Sequence, residues 1–287
     1  MKQTKLKTGA IRPSLYTKFI KAALAEDAAG NDITTKFTVS PKALCKARLV
    51  AKQDIVLAGI AVFEAVFKTL DGDIKVVKKF ADGASVPKGA VVAVITGKAR
   101  PILSAERVAL NILQRMSGVA TLASEFAKAV DGTGAKILDT RKTTPGLRDL
   151  EKYAVRTGGA FNHRRDLSAM VLIKENHIAA AGGIAQAVAG VKKSKRKMFI
   201  EVEVTNLDEL NEALNAGVDR VLLDNMTPQQ VKQAVKIAKG KAETEASGNM
   251  NLKTVRSYAQ AGVDYISVGA LTHSPPAADV SLLIDLA

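Results

Sequence analysis

The loop at residues 139–146 combines residue types that bind anions. Arg141 and Lys142 supply two cations, and Thr143 and Thr144 supply two hydroxyl groups, in four consecutive positions. Arginine binds a carboxylate or phosphate through paired hydrogen bonds, whereas lysine acts as a point charge. The loop therefore predicts a carboxylate or phosphate site, and the alternative is a basic loop that faces only solvent.

Further cations follow at two later positions. His163 and Arg164 form a second cluster, and Lys174 comes directly after the apolar run Val171–Ile173. An unpaired ammonium group is costly to bury. Lys174 is therefore expected to meet an anion, which is either a glutamate or a ligand.

Two carboxylates near strand ends, Glu203 and Asp224, are candidates to act with these cations. Carboxylates in such places can bind Mg²⁺, accept hydrogen bonds from sugar hydroxyls, or stabilise a developing positive charge. They can equally neutralise Arg141 and Lys174, and their spacing leaves both interpretations open.

Two short loops rich in small residues could bind a phosphate through the backbone. They follow the last two strands of the chain's second half: Ser247, Gly248 and Asn249, then Val268, Gly269 and Ala270. Small side chains leave backbone N–H groups accessible, and α/β barrels often bind phosphate at this position. One glycine loop alone is common in proteins, but the pair favours a phosphate site.

The elements that must position these residues repeat a strand, a polar loop and a helix after residue 130. Apolar strands are predicted at 137–138, 171–173, 198–204, 221–223, 242–246 and 265–268. Alternation of this kind indicates a parallel sheet, and several units in succession favour a closed or nearly closed barrel. Functional residues of such barrels follow the carboxyl ends of the strands, where the candidates of this half lie.

The first 100 residues show a mixed pattern of helices and strands instead. A stripe of apolar residues at helical spacing then runs from Ser104 to Val130. Ser104 is expected to cap this helix at its N-terminus, and Gly118 is expected to bend or divide it.

Charge is distributed unevenly along the 287 residues, whose formal net charge is +14. Residues 1–130 carry 21 basic and 10 acidic side chains, whereas residues 131–287 carry 21 and 18. This distribution fits either a basic front half that binds nucleic acid or an enzyme whose substrates are anions.

Composition excludes several classes of protein. Aromatic residues make up only 4% of the chain, which gives poor support for base stacking and hence for nucleic-acid binding. A single cysteine, Cys45, rules out an intramolecular disulfide and favours a reducing compartment, so we expect a cytoplasmic protein. The three histidines, His163, His177 and His273, are too dispersed to predict a zinc site. No apolar run approaches the ~18 residues of a membrane helix, so no membrane association is expected.

Seven strings of residues, in this order, resemble the quinolinate phosphoribosyltransferase family. They are Asp139–Arg148, Asn162–Arg164, Leu172–His177, Glu201–Val204, Leu223–Asn225, Glu245–Asn249 and Ser267–Ser274. The likeness runs from about Glu26 to Leu283, and the ten-residue string at Asp139–Arg148 is its most specific part.

The resemblance implies an α/β protein with an N-terminal α+β sandwich-like domain (1–116) and an open or incomplete α/β barrel (117–274). A C-terminal tail (275–287) would pack back on the first domain. The implied activity joins quinolinate to phosphoribosyl pyrophosphate and gives nicotinate mononucleotide, pyrophosphate and CO₂ in NAD biosynthesis, with Mg²⁺ as cofactor. A homodimer with shared active sites is implied, with a hexamer of dimers as the larger alternative.

Residue roles also follow from the resemblance. Quinolinate would be held by Arg107 from the partner subunit and by Arg141, Thr143, His163, Arg164 and Lys174. Phosphoribosyl pyrophosphate would be held by Lys142, Glu203, Asp224, Ser247, Gly248, Asn249, Val268, Gly269 and Ala270. The catalytic residues would be Lys142, Lys174, Glu203 and Asp224, and the last two would bind Mg²⁺ directly or indirectly.

Two other interpretations are compatible with the same sequence features. A molybdate-uptake-associated paralogue has the same fold, but the intact strings around Arg141 and His163 argue against it. A basic nucleic-acid-binding module centred on residues 1–130 is the rival from another class.

Overall fold

The computed structural model describes residues 11–194 and 197–286, with side chains described through residue 284. The first ten residues of the predicted N-terminal domain therefore lie outside it. The chain forms two compact units. The first comprises the described part of Met1–Ser124 together with Thr143–Gly159 and Ser274–Ala287, and the second comprises Glu125–Lys142 and Ala160–His273.

Strands and helices are numbered here in chain order. The strands are β1 (Leu44–Ala51), β2 (Ile55–Val56), β3 (Lys75–Lys78), β4 (Ser85–Val86), β5 (Val91–Lys98), β6 (Lys136–Leu138), β7 (Val171–Ile173), β8 (Ile200–Val204), β9 (Arg220–Asp224), β10 (Glu243–Ser247), β11 (Tyr265–Ser267) and β12 (Val280–Leu286). The helices are α1 (Thr17–Glu26), α2 (Ile33–Thr38), α3 (Ile60–Leu70), α4 (Ala99–Ala129), α5 (Arg148–Thr157), α6 (Glu175–Ala181), α7 (Ile184–Lys192), α8 (Leu207–Asn215), α9 (Pro228–Ala238), α10 (Val255–Gln260) and α11 (Ala270–His273). Within the described residues, none of the helices is both long and apolar enough to cross a bilayer.

The first unit contains a four-stranded antiparallel sheet with the strand order β12-β1-β5-β3. The tail that was expected to pack back on the N-terminal domain supplies β12, which pairs with β1 from Ala51 opposite Val280 to Cys45 opposite Leu286. This pairing makes the C-terminal strand an edge of the sheet of the first unit.

Helix α4 continues from Ala99 to Ala129, so the prediction that Ser104 caps it is wrong. The helix begins five residues before Ser104, whose Oγ instead donates a hydrogen bond to Asp32 Oδ2 at 3.0 Å. The helix also continues through Gly118, so the expected division into two helices does not occur. The domain boundary predicted at 116/117 falls inside this helix.

Gly118 has a packing role instead. A Cβ atom at this position would collide with the carbonyl oxygen of Pro276 and lie 3.3 Å from Ala277 Cα. The absence of a side chain therefore lets the C-terminal segment pass directly over α4, on its way to β12.

The second unit contains a six-stranded parallel sheet with the strand order β6-β11-β10-β9-β8-β7. Strands β6 and β7 are its two edges, so the sheet is open along the described strands. Helices follow most of the strands, with α8 capped by Asn206 and α9 begun by Thr227 and Pro228. The predicted fold class is confirmed: a mixed α/β chain with an open parallel sheet in its second part.

The two faces of this parallel sheet differ in polarity. One face carries apolar residues that are completely buried: Val202, Val221, Leu223, Ala246 and Ile266. On the other face, Glu201 lies directly across from Arg220, which lies across from Glu243. Because side chains alternate along a strand, the charged residues two positions later also lie on this second face.

We predict that Gly118→Ala lowers the stability of the protein by about 2 kcal/mol, because the new methyl group has to displace backbone atoms. The matched control is Gly190→Ala in α7, where no described atom outside the neighbouring backbone of the helix lies within 4 Å of the added Cβ. That change is expected to leave stability unchanged or to raise it by up to about 1 kcal/mol. Thermal unfolding followed by circular dichroism measures both, and equal midpoints for the two variants would contradict this role of Gly118.

Candidate active site

A cavity of about 830 Å³ opens in the second unit at the carboxyl ends of the parallel strands. Most of the predicted site residues line it: Arg141, Lys142, His163, Arg164, Lys174, Glu203, Asp224, Ser247, Gly248, Asn249, Gly269 and Ala270. The strand ends converge because all six strands run in the same direction, so loops distant in sequence meet at one edge.

Three predicted residues are placed differently. Val268 is completely buried, and its N–H donates to Leu138 O at 2.9 Å, so it has no group to offer a phosphate. Thr143 and Arg107 belong to the first unit. There the Thr143 hydroxyl accepts a hydrogen bond from Arg148 Nε at 2.9 Å, and Arg107 is exposed on α4.

Lys174 and Glu203 form an ion pair at the ends of β7 and β8. The anion expected for Lys174 is therefore a glutamate of the neighbouring strand. The Lys174 side chain keeps 44% of its surface exposed. An anionic ligand in the cavity can therefore still reach the ammonium group.

Arg141 and Arg164 place two guanidinium groups on the same cavity. Burial lowers the pKa of Arg164, and the positive charge of Arg141 lowers it further. The charge of Glu201 opposes this shift, and an anion bound beside the two arginines would reduce their mutual repulsion further. The pair is therefore arranged to receive a ligand with negative charge, such as a carboxylate.

The loops after β10 and β11 present free backbone donors. Within the described residues, no protein acceptor binds the N–H groups of Gly248, Asn249, Gly269 or Ala270. Gly248 has φ +110°, and a Cβ there would collide with the side chain of Asn225. Only glycine fits this turn, so the conformation of the loop depends on the absence of a side chain at Gly248.

A buried ionic network lies beneath the cavity, and sequence reasoning missed most of it. Glu201 and Glu245 are completely buried, and Arg220 Nη1 donates to Glu245 Oε2 at 3.2 Å. Ser267 Oγ donates to the other oxygen of Glu245. His163 Nε2 lies 3.1 Å from Glu201 Oε2 and 3.5 Å from Glu245 Oε2. A charged residue at every second position of the buried strands β8 and β10 is the sequence signal that could have indicated this network.

Burial raises the pKa of both Glu201 and Glu245, and the charge of Arg220 opposes this shift. The guanidinium of Arg220 is fixed by Glu243 at 2.7 Å and lies over the Tyr265 ring at 4.0 Å. The positive charge of Arg220, held in place by Glu243 and Tyr265, offsets the free-energy cost of burying the two carboxylates.

The geometry of His163, Glu201 and Glu245 also indicates whether these residues bind a metal ion or hydrogen-bond to one another. Ligand atoms of His163, Glu201 and Glu245 lie within 4.8 Å of one another, as in a metal site. However, His163 Nε2 already lies 3.1 Å from Glu201 Oε2, and Glu245 Oε2 already accepts a hydrogen bond from Arg220 Nη1, so these ligand atoms have partners within the protein. The three residues therefore form a network of hydrogen bonds.

Glu203 and Asp224 have the chemistry expected for Mg²⁺. Glu203 pairs with Leu222 across the sheet, so Asp224, two positions later, lies on the same face and also lines the cavity. Magnesium in proteins is held by one or two carboxylates together with substrate phosphates and water. These two carboxylates fit that pattern.

A second set of contacts, also missed from the sequence, holds the start of α5 in the first unit. Arg115 Nη2 binds the buried Glu151 at 2.7 Å, and Glu151 Oε2 accepts from Thr144 N at 3.1 Å. Because the backbone N–H of Thr144 is bound to the buried carboxylate of Glu151, the loop has a fixed conformation at Thr144.

Comparison with known proteins gives a consistent result along almost the whole chain. The N-terminal domain of the family "quinolinate phosphoribosyl transferase" matches residues 32–117, and its C-terminal domain matches residues 119–283. A probable nicotinate-nucleotide pyrophosphorylase (carboxylating) of Bacillus subtilis is 40% identical, over 94% of this chain and 93% of its own. A chloroplastic nicotinate-nucleotide pyrophosphorylase (carboxylating) of Arabidopsis thaliana is 44% identical, over 93% of this chain and 82% of its own.

A solved structure agrees with the sequence relatives. The nicotinate-nucleotide pyrophosphorylase from Francisella tularensis superposes with a TM-score of 0.92 at 41% identity, covering 97% of this chain and 99% of that one. Because both domains of the family match, and relatives of this identity cover nearly the entire length, the chain belongs to the quinolinate phosphoribosyltransferase family.

Proposed function

We propose that the cavity of the second unit transfers the phosphoribosyl group of phosphoribosyl pyrophosphate to quinolinate. The products are nicotinate mononucleotide, pyrophosphate and CO₂, a step of NAD biosynthesis. The observation that carries this proposal is the meeting of three kinds of group in one cavity: cationic side chains, carboxylates, and the small-residue loops after β10 and β11. They match the dicarboxylate, the ribose with its diphosphate, and the 5′-phosphate of the two substrates.

The two carboxylates of quinolinate are bound by Arg141, Arg164 and Lys174. The arginines provide paired hydrogen bonds, and Lys174 provides a point charge that it shares with Glu203. Nicotinate lacks one of these carboxylates, so its binding leaves one cationic position without its anion. The arrangement therefore favours the dicarboxylate.

Phosphoribosyl pyrophosphate is bound in the same cavity, mainly at the carboxyl ends of β8 to β11. Its 5′-phosphate accepts hydrogen bonds from the N–H groups of Gly248, Asn249, Gly269 and Ala270, with Ser247 beside them. Lys142 faces the diphosphate as a point charge. Glu203 and Asp224 accept hydrogen bonds from the ribose hydroxyls.

Glu203 and Asp224 would also hold Mg²⁺, directly or through water. When bound, the ion neutralises charge on the diphosphate and so makes it a better leaving group.

Catalysis follows from fixed charges. Lys142 stabilises the leaving pyrophosphate as the C1–O bond breaks, and the carboxylates of Glu203 and Asp224 stabilise positive charge on the ribose. The lone pair of the pyridine nitrogen forms the new bond to C1, so no general base is needed. The bond to the carboxylate beside the nitrogen then breaks, CO₂ leaves, and the electron pair stays on carbon, stabilised by the positive nitrogen until water protonates it.

The assembly and the cellular location complete the proposal. A homodimer, alone or within a hexamer, supplies Arg107 to the partner's site, which the exposed position of Arg107 on the first unit supports. Thr143 would act beside Arg141. A cytoplasmic location is supported by the single cysteine, Cys45, which is a free thiol.

We predict that the purified full-length protein, given Mg²⁺ and phosphoribosyl pyrophosphate, converts quinolinate to nicotinate mononucleotide. Nicotinate should give no product under the same conditions, because the cationic cavity selects two carboxylates. Chromatography of the nucleotide and trapping of CO₂ measure both outcomes. Absence of product from quinolinate, or equal rates with the two acids, would overturn the proposed function.

The phosphate loop gives a second prediction. Gly248→Ala should raise KM for phosphoribosyl pyrophosphate by about tenfold or more, with a smaller effect on KM for quinolinate, because the methyl group disturbs the N–H donors. Gly240→Ala is the matched control, since Gly240 also has positive φ (+77°) but no atom within 4 Å of the added Cβ. If both variants raise KM equally, the loop after β10 does not bind the phosphate.

The shared site gives a third prediction. Arg107→Ala and Lys174→Ala homodimers should each be nearly inactive, but a heterodimer of the two regains one complete site of its two. Co-expression with two affinity tags isolates the heterodimer for assay. Verified heterodimers that stay inactive would show that Arg107 does not act across the subunit interface.

A further inference from the structure

His163 was expected to bind a quinolinate carboxylate, but both nitrogens of its ring have partners inside the protein. Nδ1 lies 2.7 Å from the backbone N of Arg164, and Nε2 lies 3.1 Å from Glu201 Oε2. A backbone N–H can only donate a hydrogen bond, so Nδ1 must be the acceptor and carry no proton. The ring proton is therefore on Nε2, where it is donated to Glu201.

We infer that His163 is a positioning residue: a neutral imidazole, protonated on Nε2, that fixes the backbone of Arg164 and does not itself bind quinolinate. This inference rests on the proposed function, because the carboxylate that Arg164 would bind is that of quinolinate. In this arrangement Arg164 supplies the positive charge that binds the carboxylate, and His163 fixes the position of Arg164.

The network on the Nε2 side is built to hold the ring in one orientation. Glu201 is completely buried on β8, and Glu245 on β10 approaches the same nitrogen to 3.5 Å. Arg220 neutralises Glu245 from below, and Arg220 itself is fixed between Glu243 and the Tyr265 ring. Arg220 holds Glu245 in place, and Glu201 and Glu245 hold His163 Nε2. The imidazole ring therefore has little freedom to turn toward the cavity.

The loop that carries His163 is held at a second point. Asp139, which is completely buried at the end of β6, accepts hydrogen bonds from His163 N at 2.8 Å and from Asn162 Nδ2 at 2.6 Å. With His163 Nδ1 accepting from the next N–H, three consecutive residues of the loop are held by hydrogen bonds, Asn162 through its side chain and His163 and Arg164 through their backbone N–H groups. Arg164 then begins its side chain from a rigid point, and its Nη1 reaches Met170 O at 3.3 Å.

This arrangement has a physical reason. Arg164 already lies close to the positive charge of Arg141. A further cation beside these two arginines would add repulsion in the absence of substrate. A neutral ring that orients Arg164 provides geometry for binding the carboxylate without that cost.

The first test is spectroscopic and does not require turnover. Nitrogen-15 NMR of the full chain with labelled histidine has only three rings to observe, and His163→Asn identifies the signals of His163. Near neutral pH we expect a proton on Nε2 and none on Nδ1, both before and after saturation with quinolinate. A doubly protonated ring, a proton on Nδ1, or a change of protonation when quinolinate binds would overturn the inference.

The second test separates a positioning role from a charge. Asparagine can place its Oδ1 near the position of Nδ1 and accept the Arg164 N–H, whereas leucine can accept nothing. His163→Leu should raise KM for quinolinate by between about tenfold and about a hundredfold, with little change in KM for phosphoribosyl pyrophosphate. His163→Asn should recover most of this loss although it carries no charge.

Equal loss in the two variants, at unchanged midpoints of thermal unfolding, would show that the imidazole binds the carboxylate itself. If Leu loses its fold, the asparagine variant still decides, because a direct cationic contact predicts that it is severely impaired in KM for quinolinate. The outcomes stay separate from those of the proposed function: an unmodified protein without turnover refutes the function, and the NMR signals still report the tautomer.

Discussion

The interaction on which the second unit depends is the compensation of buried carboxylates by Arg220. Glu201 and Glu245 lie inside a parallel sheet, where an unpaired charge would be prohibitively costly. Arg220 lies directly across from Glu201 in the register of β8 and β9, so the cation is brought to them by strand pairing. Removing it would take away the cation whose charge acts on both carboxylates.

This buried layer determines what the layer above it can do. Arg220 lies among the buried acids, whereas the cations at the strand ends line the cavity. A ligand in the cavity can therefore reach Arg141, Arg164 and the exposed part of Lys174, and His163 connects the two layers. At the rim, Asn225 (φ +52°) and Asn249 (φ +45°) have left-handed backbone conformations on either side of the close contact between Asn225 and Gly248.

Much of the site could be predicted from the sequence, because loops that follow parallel strands meet at one edge. Lys174, Glu203 and Asp224 were identified in this way. The Arg220 network was missed because it depends on register between β8, β9 and β10, which one-dimensional spacing does not reveal. Gly118 was misinterpreted for a similar reason: its partner, Pro276, lies more than 150 residues away in the chain. Val268 looked like part of a glycine loop, but its N–H completes the pairing beside β6.

A crystal structure of the full chain with quinolinate tests the central claim most directly. The account predicts that the two carboxylates lie against Arg141, Arg164 and Lys174, while His163 Nε2 remains on Glu201 and Arg220 remains on Glu245. Quinolinate bound outside this cavity, or an imidazole of His163 turned away from Glu201 to contact a carboxylate, would contradict it.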